Sequence, residues 1–425
     1  MIFPMPTNIH NRREFTRRLA LTGSVALLRP ALADLGAADV NDKSLASVTS
    51  VRRQFLIPEG TVFFNAANLC PAPAPVLDAI FNARDLDHDL SPPNRDRMHG
   101  AKEETRRLLA DFLRVSPEEI LITRNTSESN NLVSSGLDLK PGDEVLLFSD
   151  NHPSNHRAWT EKAKRWGFTV KFVQQANPHP GDEYYVRAFT AQMNARTRVL
   201  GITHLTNSAG DLLPARELCR AARERGVLTL LDGAQSFGLM GVDLSDIQPD
   251  FYSGSGHKWL CGPKETGVLY VRKDVQSRLW PSIFSAYSGA AGISKTFEGF
   301  GQRDEAAILG LGEALKFQTR IGRQQIEQHS RALADALLAG LSKMEGVKIW
   351  TSPEPSRRHA VVSFQPASLD PNKLAAALHA RDSITCSTRG GADRPGIRFS
   401  PHLYNTEREV EGVLKAVQGF LRTGV

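Results

Sequence analysis

Residues 253–273 read SGSGHKWLCGPKETGVLYVRK. One lysine, Lys258, stands there among glycines, small hydroxyls, an indole and a thiol, a neighbourhood that a solvated lysine does not need. The stretch enters through a β-rich run, DFYSGSG (250–256), and leaves through another, GVLYVRK (267–273), so the lysine falls in the turn between two predicted strands. Further β-rich runs lie upstream: EILITRN (119–125), EVLLFSD (144–150), TRVLGITHL (197–205) and VLTLLDG (227–233). Between them are segments of helical spacing, such as NHRAWTEKAKRWG and ARELCRAARERG, each closed by glycine. This alternation predicts an α/β protein with a mainly parallel sheet covered by helices on both faces. Ligands of such sheets sit beyond the carboxyl ends of the strands. Those ends hold Thr126 and Ser127, His152, Asn207, Asp232 with Gln235, and Lys258.

After Gly301 the pattern changes. A long helical stretch precedes short strands VKIWTS, AVVSFQ and GIRFS and a closing helix, NTEREVEGVLKAVQGFLR, the pattern of a smaller α+β domain. The expected division is a leader over 1–33, an N-terminal segment over 34–75 that packs on the small domain, a large domain over 76–300 and a small one over 301–425.

A chain of 425 residues, 41% hydrophobic and 23% charged, is globular and long enough for two domains. Its net charge of +6 is no nucleic-acid signature, because five arginines against Glu14 place +4 of it before residue 34. The remaining +2 is spread without a basic stripe interleaved with aromatics. Four scattered cysteines, with no CxxC pair, point to neither a disulfide framework nor a zinc site, and no metal is expected.

Residues 11–34, NRREFTRRLALTGSVALLRPALAD, run from a cationic region through a short apolar stretch to Ala31-Leu32-Ala33, a small-x-small cleavage pattern. The apolar part, Leu19 to Leu28, is about half a bilayer span, so no stable membrane anchor is expected. Asn11-Arg12-Arg13-Glu14-Phe15 resembles a twin-arginine signal, whose machinery carries folded proteins across the bacterial inner membrane. That resemblance implies a periplasmic enzyme loaded with any cofactor before export.

The residues at the strand ends suit one chemistry. A lysine that reacts with carbonyls must be partly neutral near pH 7, which burial provides. A carboxylate at a strand end, Asp232, can keep a pyridine nitrogen protonated. Thr126 and Ser127, at a strand-to-helix turn, offer hydroxyls and helix N-terminal amides to a phosphate, and His152 can stack on a ring. Singly, each has a structural reading as turn, N-cap or helix start.

Taken in order, from about Val62 to Leu421, the chain resembles the class V aminotransferase family of fold-type I pyridoxal-phosphate enzymes, on its isopenicillin N epimerase-like and cysteine desulfurase-like side. The resemblance implies a seven-stranded sheet in the large domain, pyridoxal 5′-phosphate as cofactor, and a homodimer with shared active sites. It makes Lys258 the Schiff-base lysine, with Asp232 at the pyridine nitrogen and His152 on the ring (DNHPSN). Ser255, His257, Thr126 and Ser127 hold the phosphate, and Asn207 (THLTNSAG) and Gln235 (LLDGAQS) approach the ring oxygen. Arg398, in GIRFSPHLYNT, matches the substrate-carboxylate arginine, with Asn68 and Arg389 as further substrate contacts.

Two departures stand out. Gly301-Gln302-Arg303-Asp304 replaces Gly-Thr-x-Asp, so Gln302 takes the place of the threonine that reaches the partner's phosphate. In desulfurases a nucleophilic cysteine lies on a loop just before the carboxylate-binding arginine, whereas residues 387–397, STRGGADRPGI, hold none. Cys386, in a predicted strand SITCS, reads as a packed side chain.

The implied chemistry is α-proton abstraction from an amino acid. Its outcome is transamination or isopenicillin N epimerase-like inversion, with a desulfurase or C–S lyase reaction as the alternative. A non-catalytic binding module is the alternative of another class, and it would not need both Lys258 and Asp232.

Overall fold

The computed structural model describes residues 47–85, 88–366, 368–390 and 394–425. The leader expected over 1–33 lies outside the described residues. In chain order the strands are β1 (Val62–Phe63), β2 (Ile120–Thr123), β3 (Glu144–Phe148), β4 (Thr169–Val173), β5 (Thr197–Thr203), β6 (Leu228–Asp232), β7 (Phe251–Ser255), β8 (Gly267–Val271), β9 (Val347–Ile349), β10 (Val362–Pro366), β11 (Ile384–Thr385), β12 (Ser387–Arg389) and β13 (Gly396–Phe399).

Strands β2 to β8 form one seven-stranded sheet in the order β2-β8-β7-β6-β5-β3-β4. Neighbours from β4 through β3, β5, β6 and β7 run parallel, and β8 runs antiparallel to both β7 and β2. The carboxyl ends of β2, β3, β5, β6 and β7 therefore open on one edge. Each of the six strands expected from the sequence is present. The seventh strand of the expected sheet, β4, was not picked out as a run, because most of its residues are only partly buried and include Lys171.

The sheet is buried on both faces. Helix Pro92–Leu113 and helix Ala215–Arg223 pack with Leu146, Leu200 and Leu231 in one core, and helices Thr126–Gly136 and Pro153–Trp166 pack with Val145, Val199 and Leu230 in the other. Helix starts and stops follow local chemistry. The Asn125 side chain accepts a hydrogen bond from the Glu128 N–H at the start of Thr126–Gly136, and His152 Nδ1 accepts from the Ser154 N–H ahead of Pro153. Gly167 ends the second helix with φ 78°, in the left-handed region that glycine tolerates best.

A second sheet, β12-β13-β10-β9, carries the C-terminal domain. The helical run after Gly301 is two helices, Glu305–Ile321 and Arg323–Leu341, broken at Gly322. The first buries Ile308, Leu311 and Leu315 in the core of the large sheet, and the second joins Phe364, Phe399 and Val413 in the smaller core. Phe64, Ala66 and Ala67, beside β1, pack into that smaller core too. The run SITCS is two short strands, not one: β11 pairs parallel with β1, β12 pairs antiparallel with β13, and Cys386 lies between them.

Candidate active site

The turn after β7 is built to hold one lysine. Gly256 donates its N–H to Thr266 O at 2.8 Å, and Gly262 donates back to Gly256 O at 2.8 Å. A Cβ on Gly256 would lie 2.3 Å from Thr266 Oγ1, so the turn closes this tightly only with glycine. Trp259, fully buried, points away from the cavity: its indole N–H donates to Gln235 Oε1 at 2.7 Å, and its carbonyl accepts from Gln318 and His402, each at 2.6 Å. The indole is thus the anchor that fixes the backbone of Lys258.

Lys258 itself faces a cavity of about 460 Å³ at the carboxyl edge of the sheet. Thr126, Ser127, His152, Asn207, Asp232, Ser255, His257, Asn68, Arg389 and Arg398 line the same cavity. Burial lowers the lysine's pKa to about 8, against the opposing pull of Asp232. Burial, with Lys258 close by, also lowers His257 to about 4 and moves His152 downward, so both imidazoles are neutral at pH 7.

Asp232 ends β6 and is 4% exposed. Its Oδ2 accepts from Asn130 Nδ2 at 3.1 Å and Asn155 Nδ2 at 2.9 Å, and its Oδ1 accepts from the Ala234 N–H at 3.1 Å. The two amides are themselves oriented, since Ser253 donates to Asn130 Oδ1 at 2.7 Å and the Trp159 indole donates to Asn155 Oδ1 at 3.2 Å. Asn130 and Asn155 were missed by the sequence reading; the available signal was their position one turn into helices that begin at Thr126 and Pro153.

On the opposite wall, Arg398 is 3% exposed. It donates to Asn207 O at 2.9 Å and Asn65 Oδ1 at 3.1 Å, and its Nε has no partner. Among the described residues no carboxylate lies within ion-pair reach of it. Burial, and then Arg389, push its pKa down to about 9. A buried guanidinium with no counter-charge is costly unless an anion arrives. At the start of helix Thr126–Gly136, Thr126 Oγ1 and Ser255 Oγ lie 2.8 Å apart and Ser127 is open to the cavity, so hydroxyls and helix-end N–H groups converge there.

Two expected residues do not line the cavity. Gln235 gives both ends of its amide to the fold, donating to Ala67 O at 3.0 Å while accepting from Trp259, because the indole behind the lysine needs an acceptor. Gln302 lies in a separate cleft with Leu90, Tyr287 and Arg303, away from this chain's own lysine. Cys386 packs against the smaller core, and burial pushes its thiol up to about 12. Cys70 and Cys261 lie beside the lysine turn, with His402 next to them. Both nitrogens of that imidazole are engaged, one with Ser330 and the other with Trp259 O, so this group is part of the packing.

The model of the family described as aminotransferase class-V matches residues 85–413. The chain belongs to the aminotransferase class-V family. It is 31% identical over 392 residues to isopenicillin N epimerase of Amycolatopsis lactamdurans, covering 87% of this chain and 97% of that protein. A probable cysteine desulfurase of Methanothermobacter thermautotrophicus is 28% identical over 398 residues, covering 85% and 95%. Among solved structures, a mutant of C-DES with glycine covalently linked to its PLP cofactor superposes with a TM-score of 0.79 at 26% identity, covering 86% of this chain and 98% of that one. C-DES is also described, in a complex with cysteine persulfide, as a cystine C–S lyase.

Proposed function

We propose that this class V enzyme binds pyridoxal 5′-phosphate on Lys258 and moves the α-proton of an amino-acid substrate, as an epimerase or aminotransferase. One observation carries the reading: a lysine with a pKa of about 8 and a carboxylate held by three donors face one cavity, across from a buried arginine with no carboxylate partner. The residues fit the cofactor at each end. Asp232 takes the pyridine N–H, neutral His152 covers the ring, and Thr126, Ser127, Ser255 and His257 take the phosphate at the helix start. When bound, the cofactor supplies an electron sink for negative charge at the substrate α-carbon.

The remaining work is done by the protein. Arg398 holds the substrate carboxylate through its free guanidinium edge, with Arg389 beside it and Asn68 on the same rim. Lys258, half neutral near pH 8, takes the proton as general base. A cysteine desulfurase-like reaction is supported by the likeness to cysteine desulfurases, but Cys386, the nearest cysteine to the expected loop, is a poor sulfur carrier because its buried thiol stays protonated. A C–S lyase reaction, which needs no enzyme thiol, is the second reading, favoured by the likeness to C-DES.

The rest of the reading concerns assembly and location. Trp280, Ile283, Phe284, Tyr287, Phe81 and Leu90 are exposed apolar side chains, and Leu90 and Tyr287 share the cleft of Gln302. A homodimer covers such a surface and brings Gln302 to the partner's phosphate. The twin-arginine pattern at Arg12-Arg13 directs the folded, loaded enzyme to the periplasm.

The deciding experiment reduces the cofactor-loaded protein with borohydride and maps the labelled peptide, then screens amino acids in deuterated water. The reading requires the label on Lys258 and α-deuterium in at least one amino acid. A label on Lys264, or cofactor binding with no α-exchange by any amino acid, would defeat it.

A further inference from the structure

We propose that Arg394 is a positioning residue that fixes Arg398, and that it does so by neutralising two carboxylates that would otherwise draw on the substrate-binding arginines. The inference rests on the reading of Arg398 as the carboxylate anchor.

Arg394 is 7% exposed and lies on the connection from β12 to β13, the two strands that carry Arg389 and Arg398. Its Nη1 is 2.7 Å from Asp211 Oδ2 and 3.6 Å from Asp150 Oδ2, and its Nη2 donates to Ala176 O at 3.4 Å. Neither carboxylate belongs to the small domain: Asp150 follows β3, two residues before His152, and Asp211 closes the turn that follows β5.

That turn is the junction. Thr206 and Asp211 close it reciprocally, with Thr206 N–H to Asp211 O and Asp211 N–H to Thr206 Oγ1, each 2.9 Å. Arg398 donates to Asn207 O within it, Thr351 donates to Ala209 O at 2.8 Å, and Ser363 donates to Ser208 O. Ser208 in turn donates to Asp150. Arg394 and Arg398, four residues apart, therefore grip the same turn from one short segment, and the guanidinium of Arg398 is set by where Arg394 holds that segment.

The charges explain why an arginine is needed. Asp211 is 1% exposed, with Oδ1 unpartnered, and shares one cation with Asp150. Arg389, on the cavity wall, already feels the opposing charge of Asp150. Without Arg394, buried Asp211 and partly buried Asp150 would face two arginines that have no carboxylate partner, and one repair, besides the protonation of Asp211 that burial already favours, is for Arg389 or Arg398 to turn toward them. The substrate arginines stay free because Arg394 occupies the acids.

Two probes separate carboxylate recognition from reactivity at the cofactor: aminooxyacetate, which carries a carboxylate, and O-methylhydroxylamine, which does not. Their capture rates on the cofactor-loaded protein are read from its visible absorbance. Arg398→Lys is expected to lower the aminooxyacetate-to-methylhydroxylamine rate ratio. Arg394→Gln should lower it at least about tenfold, toward the ~100-fold that a 1 Å misplacement can cost. The O-methylhydroxylamine rate should stay within about twofold, the range of a substitution without structural consequence. Arg394→Lys should recover part of the ratio. If Arg394→Gln does not fold, Arg394→Met fills the same buried space without the charge, leaves both acids in place and carries the same expectation. A normal ratio in Arg394→Gln or Arg394→Met, with a reduced one in Arg398→Lys, overturns the positioning role. A normal ratio in Arg398→Lys as well overturns the carboxylate-anchor reading and this proposal with it.

Discussion

Replacing Asp232 by asparagine keeps the shape of the side chain and changes one oxygen for an amide, so what alters is hydrogen bonding and charge. Asn155 can present only its Nδ2 here, because its Oδ1 accepts from the Trp159 indole, which has no other role to offer; Ser253 orients Asn130 the same way. If the new amide turns its nitrogen toward them, two buried donors lose their acceptor. If it turns its oxygen toward them, its nitrogen meets the Ala234 N–H and one donor is lost. At least one orphaned donor results, at about 1–3 kcal/mol each in a buried site.

The charge has a second effect, with a definite sign. Asp232 is the largest influence that raises Lys258 against burial, so its removal takes the lysine below its value of about 8. The assay strips the cofactor, measures denaturant unfolding, and follows capture of added pyridoxal phosphate by absorbance as pH is varied. Wild type should show an inflection near pH 8, and Asp232→Asn a loss of stability of about 1–3 kcal/mol with the inflection at lower pH. Unchanged stability together with an unmoved inflection would refute this account of the lysine–carboxylate pair.

Further expectations follow from the same geometry. Lys258 binds its proton less tightly in the folded chain than at its ordinary value of 10.5, so cofactor-free protein should gain stability as pH rises from about 8 toward 10.5. Denaturant titrations at several pH values should show that rise in wild type and lose it in Lys258→Ala. Cys386→Ser should leave any sulfide release within about twofold, as expected of a packed thiol held protonated; a large loss of sulfur transfer, with cofactor binding retained, would restore the desulfurase reading. Arg12→Lys with Arg13→Lys preserves charge but removes the guanidinium forks, so fractionated cells should retain folded, cofactor-loaded precursor in the cytoplasm. Normal periplasmic delivery of that double variant would count against twin-arginine export.

Much of the site is legible in the chain because its parts are punctuated locally. A buried run must end where polar residues begin, and in a parallel sheet those ends share an edge, so Thr126, His152, Asp232 and Lys258 could be grouped before any packing was known. The glycines around Lys258 likewise announced a turn, and the approach of Gly256 to Thr266 shows why one of them must lack a Cβ. Strand β4 escaped because burial, which makes the other strands conspicuous, is incomplete along it, whereas β2 at the opposite edge is buried throughout.

What the chain alone could not decide are the relations that depend on long-range approach. Asn130 and Asn155 meet Asp232 only after two helices dock on the sheet. Gln235, adjacent to the site in sequence, turns away because Trp259 needs its oxygen, a demand that exists only once the indole is buried. The ion pair of Arg394 with Asp211 joins residues 183 positions apart, and it determines which arginines keep their charge available. Sequence fixes which groups can ionise and roughly where the chain must turn. Desolvation and the pairing of buried charges are properties of the assembled interior, so the lysine poised near pH 8 and the arginine left without an anion emerge only from tertiary structure.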